Sequence, residues 1–286
     1  RSLLSMIDHA LKDVSLLVPL DDERFLKTHE EFEARSNQRD RIIAWLCNHS
    51  DNDTTRTGDL NLLSLGCGDG SVDLPTTRKL IGKADHVRFV GLDPNGAQLA
   101  KLEQAFAAAA LPDVTLKTHE LELGNFETAE RFDHIHCVHS FYYMPDPAAA
   151  LEHTISMLAD DGELVFFHAP CEDLNALSTR FYDKYYERST LFAEDFALLL
   201  DESGHSYRRE RIDARIDVTS LFDEQHVHGH ELRDFILQFD SHKLPVAVVE
   251  PVERYMRLIA EGSRSAAWIA HPVDVFVIRR RADATR

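Results

Sequence analysis

Only four of the 286 residues are cysteine, and Cys47, Cys67, Cys137 and Cys171 stand far apart with no C-x-x-C spacing. A disulfide-stapled secreted fold is not expected from so few at this length, and the thiols read as buried groups in a reducing compartment. No stretch approaches the ~18 consecutive apolar residues of a membrane span. No basic segment followed by an apolar one opens the sequence, so no secretory leader is expected and the location reads as cytoplasmic. Bases are scarce: 31 Lys and Arg face 49 Asp and Glu, for a formal charge of −18. Nucleic acid and anionic lipid require positive potential, so neither is expected as a partner. What remains is a protein 44% hydrophobic, enough for a sizeable core. It reads as a monomer or weak homodimer with a small neutral or cationic ligand.

Organisation follows from periodicity. Residues 1–50 read as a helical segment, with Ile42, Ile43, Trp45 and Leu46 apolar near its end. A polar loop to residue 59 precedes a buried strand, Leu60–Leu65, that stops in Gly66-Cys67-Gly68-Asp69-Gly70. Helical spacing to Ile81 leads to a strand, His86–Leu92, ending at Asp93-Pro94-Asn95-Gly96, and then to a helix over 97–110. Further strands are expected at Val114–Thr118, Phe132–Val138 and Glu163–His168. The dipeptide Asp146-Pro147 reads as an N-cap with Pro at the first helical position. Beyond residue 190 come a helix to Gly204, a strand over Arg211–Val218, helices over 230–240 and 245–260, and a last strand at Val273–Arg279. Alternation of this kind specifies an α/β fold with a doubly wound, mostly parallel seven-stranded sheet. It carries an N-terminal helical segment at 1–50, a main domain over 51–286 and a helical insertion at about 219–262, which the resemblance drawn below makes a lid and an acceptor-side insertion.

The glycine loop is the first sign of chemistry. Glycines let a chain turn sharply after a strand and approach a ligand closely. No Lys-Ser/Thr follows the last glycine, which excludes a phosphate-cradling loop, and the spacing G-x-G-x-G departs from the dinucleotide fingerprint. Asp93, at the end of the next strand, is placed to accept both hydroxyls of a ribose. Glu120 and Glu122, after the third, are placed to meet an adenine amino group. Among histidines, H-x-H-x-x-H (His134, His136, His139) and H-x-H-x-H (His226, His228, His230) are weighed as ligands. Neither is read as a metal site, because ligation needs three or four side chains converging on one point. No G-x-S-x-G nucleophile turn occurs.

Together these features resemble a class I S-adenosylmethionine-dependent methyltransferase with a Rossmann-like fold. The segment Ile135-His136-Cys137-Val138-His139-Ser140-Phe141-Tyr142-Tyr143-Met144, and Leu63–Gly70 followed by Val72-Asp73-Leu74, resemble the histamine N-methyltransferase family. The resemblance implies cofactor contacts at Gly66, Cys67, Gly68, Asp69, Gly70, Asp93, Gln98 and Val138, to which the sequence reading adds Pro94 and Glu120. It implies acceptor contacts at Glu31 (Glu33 by another gapping), His139, Tyr142, Tyr143 and His271, and Tyr182 and Phe235 are taken as further acceptor-binding candidates. His139 and His271 stand where the family has amides, and the family's tryptophans after the fifth strand are missing.

Methyl transfer from a sulfonium is an in-line displacement in which a protein supplies proximity and alignment. His139 and Tyr143 are the candidate catalytic residues, His139 as a base titrating near neutrality. The expected function is N-methylation of a small nitrogenous metabolite (an amine, an amino acid or an imidazole-like compound), with S-adenosylhomocysteine as product. The alternatives are a small-molecule O-methyltransferase and a non-catalytic S-adenosylmethionine-binding protein.

Overall fold

A computed structural model describes residues 2–51, 58–223 and 227–280, less the side chains of Asp51, Tyr143, Val227 and His228. The helices are α1 (Leu3–Lys12), α2 (Asp22–Arg35), α3 (Gln38–Asp51), α4 (Asp73–Leu80), α5 (Gly96–Ala109), α6 (Pro147–Ser156), α7 (Asp173–Tyr186), α8 (Ala193–Ser203), α9 (Val227–Leu237) and α10 (Val246–Ile259). The strands are β1 (Asp59–Leu65), β2 (His86–Leu92), β3 (Val114–His119), β4 (Phe132–Val138), β5 (Leu158–His168), β6 (Tyr207–Ile212), β7 (Arg215–Asp217), β8 (Glu261–Ser263), β9 (Ala266–Ala270) and β10 (Val273–Arg279). The chain divides into two compact units. One comprises Arg1–Arg39, Pro170–Thr190 and Asp213–Val273; the other comprises Asp40–Ala169, Leu191–Ile212 and Asp274–Arg286.

The second unit holds a seven-stranded sheet in the order β3-β2-β1-β4-β5-β10-β6. The pairs β1/β2, β2/β3, β1/β4 and β4/β5 are parallel, whereas β10 runs antiparallel to β5. This is the doubly wound, mostly parallel architecture expected. Its central strands are buried on both faces, as in parallel sheets covered by helices on each side. Leu62, Leu63, Ile135, Leu164, Val165 and Phe166 are fully buried. Asp146 accepts from the Ala149 N–H and Pro147 occupies the first turn of α6, as the dipeptide predicts. The fifth strand begins at Leu158 rather than Glu163, with a shift in its register on β4 between Phe132 and His134.

The first unit is mainly helical, with a small sheet ordered β7-β9-β8. Its core gathers Ile7 and Leu11 of α1, Leu177 and Phe181 of α7, and Val248, Val252 and Met256 of α10. The strand expected over Arg211–Val218 is two strands in different sheets, β6 and β7. Alternation continues in phase through Asp213-Ala214, so hydrophobic period alone could not mark the change of partner. Pro245 is the N-cap of α10 rather than its first helical residue.

Candidate active site

The parallel strands β1–β5 end at the same edge of the sheet, and the ends of β1–β4 and the loops that follow them carry the residues singled out for the cofactor. After β1, Gly66, Gly68 and Gly70 all have left-handed backbones, with φ of 65°, 55° and 75°. The end of β2 clamps this loop. Gly66 and Cys67 donate their N–H groups to the Leu92 carbonyl at 2.7 and 3.2 Å, and Gly68 donates to Asp93 Oδ2 at 2.9 Å. From the end of β4, Ser140 donates its hydroxyl to the Leu65 carbonyl at 2.7 Å. Asp69 turns the chain into α4 by accepting the Ser71 N–H at 3.0 Å.

The glycines differ in purpose. A Cβ on Gly66 would stand 2.3 Å from Ser140 Cβ, and one on Gly70 would stand 2.8 Å from Leu102, so both permit close packing. A Cβ on Gly68 would meet nothing within 4 Å. Gly68 is thus where a ligand can approach bare backbone. The carboxylate of Asp93 is held there by two N–H groups, Gly68 on one oxygen and Asn95 on the other at 2.8 Å. Each oxygen accepts from one backbone donor and keeps further acceptor capacity, which suits a vicinal diol. The strand order reverses between β1 and β4, the point at which open α/β sheets bind ligands.

The other cofactor candidates occupy the same edge. Pro94 is exposed, Gln98 is half-buried in the first turn of α5, and Val138 ends β4 half-buried. Glu120 is exposed and lays its carboxylate over Gly96, where a Cβ would come within 2.5 Å of it. Glu122 is exposed and leads into a short 3₁₀ turn, Leu123–Asn125. Burial, followed by the charges of Asp73 and Asp93, pushes the Cys67 thiol far up, and burial pushes Cys137 to about 11. Neither is a thiolate nucleophile.

Beyond β4, His139 adopts a left-handed backbone, φ 51°, and its N–H donates to the Phe167 carbonyl at 3.1 Å. Its Nδ1 shares a 2.8 Å hydrogen bond with the Tyr142 hydroxyl, which also accepts the Ala169 N–H at 2.7 Å. The Tyr142 ring stacks on His168, with centroids 4.1 Å apart. Burial and the neighbouring His168 lower the His139 pKa to about 4. The expectation that His139 titrates near neutrality is therefore corrected, because the packed end of the sheet disfavours its charged form. The Tyr143 side chain lies outside the described residues.

The remaining acceptor candidates belong to the helical unit. Phe32 lies 4.7 Å from Phe235 and 5.1 Å from the His271 ring, centroid to centroid. His271 Nδ1 bonds to Ser36 Oγ at 2.9 Å. Glu31 pairs with Arg35 at 3.3 Å and Glu33 with Arg39 at 2.9 Å, both through side chains of the same unit. Tyr182 packs on Tyr186, centroids 4.4 Å apart. Sequence reasoning missed Ser140 as the loop's packing partner. Of the histidine clusters, His226 and the His228 side chain lie outside the described residues. Among the described residues no three potential ligands converge.

A family model described as a methyltransferase domain matches residues 23–229, well over half of the chain. The chain belongs to the methyltransferase family. Its resemblance to histamine N-methyltransferases extends over about three quarters of the chain. The Danio rerio enzyme is 25% identical over 236 residues, spanning 76% of this chain and 81% of the relative. That of Bos taurus is 20% identical over 241 residues, with coverages of 76% and 81%. Among solved structures, a candidate methyltransferase of Bacillus halodurans superposes with a TM-score of 0.56 at 15% identity, covering 84% of this chain and 99% of the other. The plantazolicin methyltransferase BpumL, crystallised with S-adenosylhomocysteine and a pentazolic desmethylPZN analog, gives 0.52 at 15% identity, with coverages of 98% and 97%. The methyl donor of this methyltransferase is S-adenosylmethionine. Among the described residues no helix is long and apolar enough to cross a membrane.

Proposed function

We propose that this methyltransferase methylates a nitrogen of a small metabolite, an amine, an amino acid or an imidazole-like compound, with the Gly66–Gly70 loop and Asp93 holding the donor. The observation that carries the reading is the imidazole of His139, fixed by the Tyr142 hydroxyl at 2.8 Å one residue from the serine that packs on the loop, in surroundings that disfavour its charged form. Similarity to enzymes named for histamine N-methylation supports nitrogen as the acceptor atom. When bound, S-adenosylmethionine supplies an electrophilic methyl group. The chain's own contribution is to align an unprotonated lone pair and exclude water. Bare backbone at Gly68 permits close approach, and Asp93 receives the two ribose hydroxyls. For Glu31 and His271 an acceptor-binding role is proposed on the family resemblance, as is the acceptor-side role of residues 1–50 and 219–262, and Tyr182 and Phe235 are proposed beside them as aromatic acceptor contacts.

A base whose conjugate acid has a pKa of about 4 takes few protons from an ordinary ammonium. His139 is accordingly assigned to hydrogen-bond the acceptor rather than to deprotonate it. Replacing it with glutamine is expected to raise the acceptor KM while lowering kcat by less than about tenfold. Steady-state kinetics checks this. A loss in kcat of about 10² or more at constant KM would make His139 the base. For the function itself, S-adenosylhomocysteine release is measured against a panel of amines, amino acids, imidazoles, phenols and alcohols. Turnover of phenols alone would place the methyl on oxygen, and donor binding without turnover of any acceptor would remove the enzymatic reading.

The ribose role of Asp93 has its own test. Asp93→Ala is expected to weaken S-adenosylhomocysteine binding by about 1.5–3 kcal/mol, the range for charge-assisted hydrogen bonds. Titration calorimetry reads it, and unchanged affinity would dismiss the assignment.

A further inference from the structure

Beneath the glycine loop, buried polar groups that the proposed reaction does not use form one continuous chain. His49 of α3 places Nε2 2.9 and 3.0 Å from the two carboxylate oxygens of Glu163 on β5. Glu163 Oε1 lies 3.1 Å from His134 Nδ1, and His134 Nε2 lies 3.2 Å from His136 Nδ1. His136 Nε2 in turn lies 2.6 Å from Asp73 Oδ1. Asp73, His136 and Glu163 are buried. Asp73 opens α4 directly after the loop, and the next residue, Leu74, donates its N–H to the Gly70 carbonyl at 2.9 Å.

Counting protons along this chain leads to a definite arrangement. Burial alone would raise the Glu163 carboxyl, but hydrogen bonds from His134 and His49 outweigh it and hold the group ionised. The Arg279 guanidinium, 3.4 Å away, acts in the same direction. An ionised carboxylate only accepts, so His134 must meet it with Nδ1–H. The two rings make three contacts, with Glu163, with each other and with Asp73, and one proton in each means three protons on two rings. Burial disfavours the second proton on His134. The proton in the 3.2 Å contact between the two rings then belongs to His136 Nδ1. The other nitrogen of His136 faces a carboxylate oxygen of Asp73 at 2.6 Å, a separation that two lone pairs do not hold without a proton between them. The place of Asp73 in the first turn of α4 favours the carboxylate there and the proton on the ring. From β1 the register neighbour of His136 is Ser64, which is uncharged. The Cys67 thiol, raised by burial and by Asp73, is neutral as well.

We propose that His136 carries a proton on each ring nitrogen, as an imidazolium held between His134 and Asp73, and that this charge pair fastens the donor-binding loop to the sheet. His136 and Asp73 are then positioning residues. They act on the donor through the first turn of α4 and Gly70. The inference rests on the reading of the Gly66–Gly70 loop as the donor site.

The test uses the full chain with ¹⁵N-labelled histidine at neutral pH. Both ring nitrogens of His136 are expected to show directly bonded protons in the ¹⁵N spectrum. A ring with one bare nitrogen would overturn the proposal, whatever the chain binds. Asp73→Asn keeps the shape and removes the charge. It is expected to strip one proton from His136 and to weaken S-adenosylhomocysteine binding about tenfold or more. Wild-type affinity in that variant would overturn the fastening role. If Asp73→Asn does not fold, the wild-type spectrum alone decides the proposal, and a bare nitrogen on His136 then overturns the charge pair and its fastening role together. Failure of the wild-type chain to bind S-adenosylhomocysteine would instead defeat the donor-site reading, and the fastening role with it, while the spectrum would still decide the charge on His136.

Discussion

Gly66→Ala is expected to weaken donor binding more than a hundredfold. At φ 65° an L-side chain already costs about 1–2 kcal/mol. The added Cβ would also stand 2.3 Å from Ser140 Cβ and 2.5 Å from its Oγ. Ser140 is poorly able to yield, because its hydroxyl donates to the Leu65 carbonyl at 2.7 Å and lies 2.9 Å from Cys137 Sγ. Overpacking of this kind costs a further 1–3 kcal/mol. Together the two effects come to roughly 3 kcal/mol, the free energy of a hundredfold change. The loop must move, and with it the Gly68 N–H that fixes Asp93. A second substitution separates the two contributions. In Gly66→Ala/Ser140→Gly the obstructing atoms are gone, so the packing part is expected to return while a deficit of about tenfold from the backbone persists. Calorimetry with S-adenosylhomocysteine measures all three variants. Full affinity in the single variant, or no recovery in the double, would show that the loop is not wedged against β4 as described.

The difference between Gly66 and Gly68 marks what could be read from the sequence. The run from Leu60 to Gly70, the strand to Leu92 and Asp93 after it are local patterns. They reach the structure nearly unchanged because buried parallel strands and left-handed turns leave a signature in consecutive residues. Which glycine packs and which faces a ligand is not local, since Ser140 reaches the loop from another strand. The same holds for Asp73 and His136, 63 residues apart in sequence and 2.6 Å apart in space. H-x-H spacing suggested packing or metal ligation, and only the register of β4 on β5 brings His134 to Glu163. The divided strand near Asp213 failed for a related reason: alternation reports burial on one face and says nothing of which sheet provides it. His139 was visible as a residue but not as a neutral one, because its low basicity comes from the packed neighbours, His168 among them.

Those two histidines lead to the other large effect, a loss of stability in mild acid. Burial lowers both His139 and His168 to about 4. His168 is fully buried, its Nε2–H donates to the Leu191 carbonyl at 2.7 Å, and its Nδ1 has no hydrogen-bond partner among the described residues. A proton at Nδ1 would enter an apolar stack between Tyr142 and Phe196 with nothing to accept it. In the unfolded chain the same ring protonates near its ordinary 6.5. Between 6.5 and about 4 the unfolded state therefore binds the proton and the native state does not, so stability falls as pH falls through that window. A group in this position contributes ~1.4 kcal/mol per pH unit. For the wholly buried His168 the loss approaches roughly 3 kcal/mol across the window, while half-buried His139 adds a smaller, solvent-screened amount. His168→Phe keeps the stack and removes the titration. It is expected to be less stable at neutral pH for want of the Leu191 bond, yet to lose distinctly less stability on acidification. Urea unfolding of both proteins at several pH values between about 7.5 and 5 reads the slopes directly. Parallel slopes would mean that His168 takes up its proton in the folded state as readily as in the unfolded one, and the stack around Tyr142 would then hold a charged ring.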